Sequence, residues 1–131
     1  MGQPAAKEGD QVVATDVHIV MIPAPSGQVP TPLPHTFMGK LDGELSSDVN
    51  IEGKAAAVLG STATNSPSHI PQGGSFQKTP SDSGTVQKGS ATVNINGKPA
   101  ARSGDTVLTC NDPADAPTGS IVAAGTVMIG G

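Results

Sequence analysis

Short apolar–polar–apolar triplets, each followed by a glycine turn, recur along this chain. Val49-Asn50-Ile51 and Val93-Asn94-Ile95 alternate as half-buried strands do. Tight-turn dipeptides follow them, Glu52-Gly53 and Asn96-Gly97, of which Asn-Gly is the stronger hairpin signal. After each turn a second extended piece runs into small apolar residues, Lys54-Ala55-Ala56-Ala57 and Lys98-Pro99-Ala100-Ala101. Seven of the nine positions from Val49 to Ala57 recur between Val93 and Ala101, at an offset of 44 residues. Repetition of that kind marks a supersecondary unit used more than once. Pro99 lacks a backbone donor and belongs at an edge or a strand start. The pattern predicts an all-β fold of short strands.

A third copy is split across the termini. Thr126-Val127-Met128-Ile129-Gly130-Gly131 matches Thr92-Val93-Asn94-Ile95-Asn96-Gly97, and Gln3-Pro4-Ala5-Ala6-Lys7-Glu8-Gly9-Asp10 matches Lys98-Pro99-Ala100-Ala101-Arg102-Ser103-Gly104-Asp105. Joined end to start, the two pieces give strand, glycine turn and double alanine in the same order. The termini are therefore expected to be neighbours, and the fold to close on itself as three similar sides around a pseudo-threefold axis. Lys7 and Arg102 each stand three residues before an aspartate, Asp10 and Asp105, which reads as a structural turn clamp.

Composition adds a constraint on stability. The 131 residues are 35% hydrophobic, with Phe37 and Phe76 the only aromatics and with 17 Gly and 12 Pro. Aromatics supply much of the buried area of ordinary cores, so this core is small and built from Val, Ile, Ala and Leu. Small cores commonly need a staple. A net charge of −4 with scattered Lys and Arg argues against a nucleic-acid partner. No apolar run is long enough to cross a membrane as a helix. The first residues carry no apolar leader, so the expectation is a protein made in the cytoplasm. The single cysteine, Cys110, has no internal disulfide partner and is available as a thiolate in a reducing compartment.

The metal staple has candidates. His18, His35, His69 and Cys110 are all the histidines and cysteines of the chain, and they make one tetrahedral set. His18 lies 14 residues after Pro4, His69 lies 14 after Ala55, and Cys110 lies 11 after Pro99. Each side thus carries one ligand at a similar phase, and equivalent residues near a threefold axis converge. His35 supplies the fourth from the Pro- and Gly-rich stretch Ile22–Met38. A set with no spare ligand points to a closed structural site holding one zinc per chain, since catalytic zinc keeps a position open for water.

Gly97-Lys98-Pro99-Ala100-Ala101-Arg102-Ser103-Gly104-Asp105 resembles the signature of the PAAR-repeat proteins. Pro4-Ala5-Ala6-Lys7 is similar to a second copy, and Ala55-Ala56-Ala57-Val58 to a degraded third. The resemblance implies a small cone or three-sided pyramid of short strands. It implies a Zn2+ near the apex, held by three histidines and one cysteine that map onto His18, His35, His69 and Cys110. It further implies a tip that caps the homotrimeric β-helical spike of a contractile injection system, such as a type VI secretion system or a phage-tail-like particle. Such a tip contacts the target membrane transiently while piercing it and is delivered out of the producing cell. Effector proteins are possible further partners. The repeats reach from residue 3 to residue 131, so a single PAAR-like domain over 1–131 without a separate effector domain is expected. Three similar sides suit a trimeric partner. Val49, Ile51, Val93, Ile95, Val127 and Ile129 are the candidate spike-binding residues, through strand addition to the spike.

Two other classes compete. A zinc hydrolase would want an open metal position and a carboxylate base, but Glu44, Asp48 and Glu52 lie in the strand repeats, outside the ligand phase. A free-standing binding module for sugars would want Trp or Tyr, which are absent, and a nucleophilic Cys110 has no histidine near it in sequence. The protein is not expected to be an enzyme. The Ser-, Thr-, Gly- and Pro-rich stretch Ser61–Gly84 reads as a passive solvated cover.

Overall fold

The computed structural model describes residues 2–130. Met1 and Gly131, the last residue of the split third copy, lie outside the described residues. In chain order the strands are β1 (Gln3–Pro4), β2 (Gln11–Ala24), β3 (Gly27–Gly43), β4 (Asn50–Ile51), β5 (Lys54–Ala55), β6 (Thr62–Asn65), β7 (Ser75–Phe76), β8 (Ser83–Val86), β9 (Asn94–Ile95), β10 (Lys98–Pro99), β11 (Thr106–Thr109), β12 (Ala116–Val122) and β13 (Met128–Ile129). All pairings between them are antiparallel.

The repeated triplets form the expected small hairpins. β4 pairs β5 and β9 pairs β10. The turn residues Glu52-Gly53 and Asn96-Gly97 all have φ between 52° and 82°, the left-handed pairs of a type I′ turn. The third hairpin is discontinuous: β13 pairs β1, with Gln3 opposite Ile129. The termini are neighbours, as the split repeat requires.

Each small hairpin leads through its double alanine into a larger strand pair: β2 and β3, then β6 and β8, then β11 and β12. These six strands run β2-β3-β6-β8-β11-β12 and return to β2, so the sheet closes, with β7 added on the outside of β2. Closure removes sheet edges.

The alanines explain how three copies meet. The amide of Ala6 donates to Ala101 O, that of Ala101 to Ala57 O, and that of Ala57 to Ala6 O, each at 3.0 Å. Three backbone segments thus bond in a ring around one axis, and the alanine at each of the three positions is fully buried. Ala6, Ala57 and Ala101 face the main core, with Val12, Ala63, Val107, Leu41, Val86, Ile121 and Phe37. Ala5, Ala56 and Ala100 face a second core with Ile51 and Ile129, against which Val49 and Ile95 pack.

The turn after each double alanine is also threefold. Gly9, Gly60 and Gly104 have φ of 90°, 93° and 91°, a region that favours glycine. The side chains of Asp10, Ser61 and Asp105 accept the amides of Lys7, Val58 and Arg102 at 2.8–2.9 Å. Asp10 pairs with Lys7 at 3.3 Å and Asp105 with Arg102 at 2.8 Å, which makes both the structural clamps their spacing suggested. The turns of the small hairpins reach around the ring as well. Asn96 binds Ser46 and Asp48, Glu52 takes the amide of Thr126, and Gly130 O takes the hydroxyl of Ser90.

One unit departs from the others. β2 and β3 pair over fourteen consecutive positions, from Gln11 opposite Lys40 to Ala24 opposite Gly27, and extend past the short strands of the other two units. Pro30, Pro32 and Pro34 lie within β3 because they share one parity. At that parity Met38 turns its amide away from β2, to Asn65 Oδ1, so the pairing with β2 requires no proline donor.

Candidate metal centre

Along β2 the buried positions alternate, and the inner face reads Val12, Ala14, Asp16, His18, Val20. The first two belong to the main core. Core therefore gives way to polar chemistry along a single strand. His35 stands directly opposite Asp16 in β3, so the first unit supplies both His18 and His35.

The other two units bring one candidate ligand each. His69 follows β6, where Asn65 and Asp82 hold it. Asp82 Oδ1 accepts the amide of His69 at 2.9 Å and the Asn65 side-chain amide at 3.1 Å. Cys110 follows β11, and the two residues after it tie that loop to β2. Asn111 Oδ1 accepts the amide of Val17 at 2.6 Å, Asp112 Oδ2 accepts the amide of Ile19 at 2.8 Å, and the amide of Asp112 donates to Val17 O at 2.8 Å. The turn-forming side chains after Cys110 thus fix its position relative to His18.

The three imidazoles form a triangle. Ring centroids lie 5.0 Å apart for His18 and His69, 5.4 Å for His35 and His69, and 5.5 Å for His18 and His35. Ligand atoms of His18, His69, Cys110 and Asp16 all fall within 4.8 Å of one another, a grouping that can hold a metal ion. Repeat phasing foresaw the meeting of His18, His69 and Cys110. It did not find Asp16, which stands two residues before His18 and so on the same face of one strand.

The donor chemistry fits a cation. Among the described residues, the buried side-chain N and O atoms without a hydrogen-bond partner are His18 Nδ1, His18 Nε2 and His35 Nε2. Buried polar atoms are rarely left unpartnered. His35 Nδ1 lies 3.0 Å from Leu33 O, which places the proton on Nδ1 and leaves Nε2 a bare lone pair, the usual arrangement for a metal-binding histidine. Burial lowers the pKa of His18 below its ordinary 6.5, against the opposing pull of Asp112, and favours the neutral, ligating form. Burial, and then the carboxylate of Asp16, push the Cys110 thiol up to about 11. Without a cation Cys110 is a thiol at neutral pH. A bound cation would stabilise its thiolate.

The stretch Ser61–Gly84 does more than cover a face. It supplies His69 and Asp82, and the ring of Phe76 lies 5.4 Å from His35 and 5.8 Å from His18, closing the triangle with an apolar plate. Composition concealed this, because a lone aromatic in a polar stretch carries no periodic signal.

The proposed spike-binding positions divide by burial. Ile51 and Ile129 are buried in the second core, with Val49 and Ile95 packed against it. Val93 and Val127 are exposed.

Residues 77–131 match the PAAR motif family, a span that contains Cys110 and the third unit. No curated protein matches the chain. The motif implies a spike-tip protein of type VI secretion systems, and proteins of that family are structural tips and not enzymes. Among the described residues no helix is long and apolar enough to cross a membrane.

Proposed function

We propose that the 131 residues act as one PAAR-like unit, a zinc-stabilised tip that caps the trimeric β-helical spike of a contractile injection system and helps it pierce the target envelope. The observation that carries this reading is the cyclic ring of Ala6, Ala57 and Ala101. It makes one chain present three similar sides, the symmetry a trimeric spike demands. The exposed Val93 and Val127 and the backbone of the small hairpins are the contact surface, adding to the spike's strands.

At the other end His18, His35, His69 and Cys110 hold one Zn2+. The ion ties segments distant in sequence, and structural zinc contributes on the order of 10 kcal/mol of apparent folding free energy in small peptides, comparable with the whole stability of a domain. A point driven through an envelope needs that reinforcement where the apolar core has ended. Near-complete burial of His18 and Cys110 favours a closed structural site over an open catalytic one.

Metal content is measured on protein purified without added zinc, and binding to a trimeric spike by native mass spectrometry. One zinc per chain, lost in Cys110→Ala or His69→Ala, and one chain per spike trimer are expected. A folded, metal-free protein would overturn the zinc site. Absence of any one-to-three complex would overturn the cap.

A further inference from the structure

Between Asp16 and Lys40 the chain carries no Asp, Glu, Lys or Arg. That stretch is the outer part of β2 and β3 with the turn that joins them. Its end runs past the metal centre, since His18 stands opposite Leu33 and the pairing continues to Ala24 opposite Gly27. Charges on the neighbouring loops stop short of that end. Asp112 is bonded to Val17 and Ile19, and Lys78 follows Gln77, whose amide donates to Ile19 O. The end itself is apolar. Val29 is 47% exposed, Pro23 and Pro30 are exposed, and Met21 and Ile22 are half-buried. Ile70, 68% exposed, extends the surface from the loop whose Gly73 and Gly74 lie against Ile22 and Met21. Contiguous exposed apolar surface marks a site of association with a protein or a membrane.

The backbone separates these two partners. The outward positions of β2 here are Val17, Ile19, Met21 and Pro23, and those of β3 are Gln28, Pro30, Pro32 and Pro34. The amides of Val17 and Ile19 donate to the side chains of Asn111 and Asp112, and Met21 stands opposite Ser75 of β7. The four prolines have no N–H to offer, so Gln28 is the remaining outward donor of the eight. A protein partner or a second copy adding a strand would need the missing donors. Lipid instead penalises every unpaired donor, and this edge has almost none. Its outward carbonyls still require water, which keeps the insertion shallow. Past Met21, where the pairing with β7 ends, the hairpin runs three more residues to Ala24, about 10 Å of strand. Interfacial apolar segments sink roughly 5–10 Å into the boundary of headgroups and acyl chains.

We propose that the outer end of the β2–β3 hairpin, from Met21 to Pro30, is a lipid-contacting element that inserts spontaneously into the boundary layer of a bilayer. This rests on the tip reading above, for which it names the segment that enters the target membrane first. The end is uncharged and the chain carries a net −4, so the attraction is apolar burial alone and anionic headgroups do not recruit it. Binding to zwitterionic lipid is therefore insensitive to salt, unlike that of a basic patch.

The test uses the full chain with its metal and vesicles of phosphatidylcholine, plain or brominated in the acyl chains. The protein has no Trp, so Val29→Trp reports on the hairpin. Val122→Trp is the control, at an exposed position opposite Gln11 at the other end of β2. We expect the emission of Val29→Trp to shift to the blue on plain vesicles and to be quenched on brominated ones, with Val122→Trp unaffected. In vesicle flotation Val29→Asp should bind roughly 10-fold more weakly than wild type or worse, and Gln28→Asp, which removes no packing, should act in the same direction. Both sites are exposed, and circular dichroism with metal content verifies the fold. An unquenched Val29→Trp, equal quenching of Val122→Trp, or wild-type binding by both aspartate variants overturns the proposal. So does binding that high salt abolishes or that occurs on anionic vesicles alone. Absence of a complex with a trimeric spike would fail the tip reading and leave the vesicle result standing, so the two failures are distinguishable.

Discussion

Replacing Ala57 with leucine tests the axial ring directly. Ala57 is fully buried, its amide bonds Ala6 O and its carbonyl receives the amide of Ala101, both at 3.0 Å. Leucine adds three carbon atoms where three backbones already touch. Extra methylenes in a well-packed core cost about 1–3 kcal/mol. The local backbone is bonded to two other units and cannot move aside alone, so the cost belongs at the top of that range, about 3 kcal/mol. For a chain of this length 1 kcal/mol moves Tm by roughly 3–5 °C, which gives a fall of about 10 °C. The assay is thermal unfolding by circular dichroism of protein carrying its full metal complement, with metal content checked in both proteins. Val93→Leu, at an exposed position of a small hairpin, is the control and should change stability by less than about 0.5 kcal/mol. Ala6→Leu and Ala101→Leu should behave as Ala57→Leu does. A variant melting within about 2 °C of wild type would refute the idea that the axis is closed by methyl groups.

The Arg102 clamp has an internal control in the second unit. Asp105→Ala strands a buried guanidinium and should cost about 3–5 kcal/mol, whereas Arg102→Val with Asp105→Ser, which copies Val58 and Ser61, should cost under about 1.5 kcal/mol in urea unfolding. The metal-free protein should be most stable between pH 6.5 and 9. His18 is held below 6.5 by burial, so the unfolded chain takes up its proton first and stability falls as pH drops below that value. Cys110 is raised from 9.0 to about 11, so its contribution, about 2–3 kcal/mol, is present below pH 9 and lost as pH rises toward 11; Cys110→Ala should flatten that alkaline limb in urea titrations with chelator present. Changing Pro30, Pro32 and Pro34 together to threonine restores three outward amides on a strand that, among the described residues, no other strand pairs before Gly39, and light scattering should then show concentration-dependent self-association. Chelation should speed hydrogen exchange at Val17, Ile19, His69 and Asp112 while Ala6, Ala57 and Ala101 stay protected, and uniform loss at both sets would refute a locally acting metal.

The threefold plan was legible because its signals are local and repeated. A glycine turn needing positive φ and a double alanine needing close approach leave the same letters each time, even across the termini. The meeting of His18, His69 and Cys110 followed from that phase, and their ligand atoms lie within 4.8 Å of one another together with one of Asp16. The β2–β3 extension was not legible. Three prolines between Val29 and His35 read as interruption, and only the register shows that they share the outward parity. Asp16 was hidden for a related reason, because an aspartate two residues from a histidine means little until both are known to lie in one strand. Closure of the sheet by β12 on β2 is a long-range pairing that no local pattern announces.

The two ends of the molecule are held by different physics. At the small hairpins, three similar units bond in a ring, and the axial amide bonds and the turn-closing amide bonds recur in all three. The arrangement persists where the letters differ, since Ser61 accepts the amide of Val58 as the aspartates accept those of Lys7 and Arg102. Beyond Asn65 and Thr109 the second and third units have, among the described residues, no long paired strands with which to match β2 and β3. Only the short β7 pairs with the outer part of the long hairpin, at Val20 and Met21. The loops after β6 and β11 are fastened largely by side chains, those of Asn65, Asp82, Asn111 and Asp112. Apolar burial is nearly spent there, Phe37 being the last large core side chain before the histidines, its ring 6.2 Å from His69. The candidate ligands stand where the repeat symmetry stops supplying strands, so a cation at that point would join all three units where sheet and core no longer do.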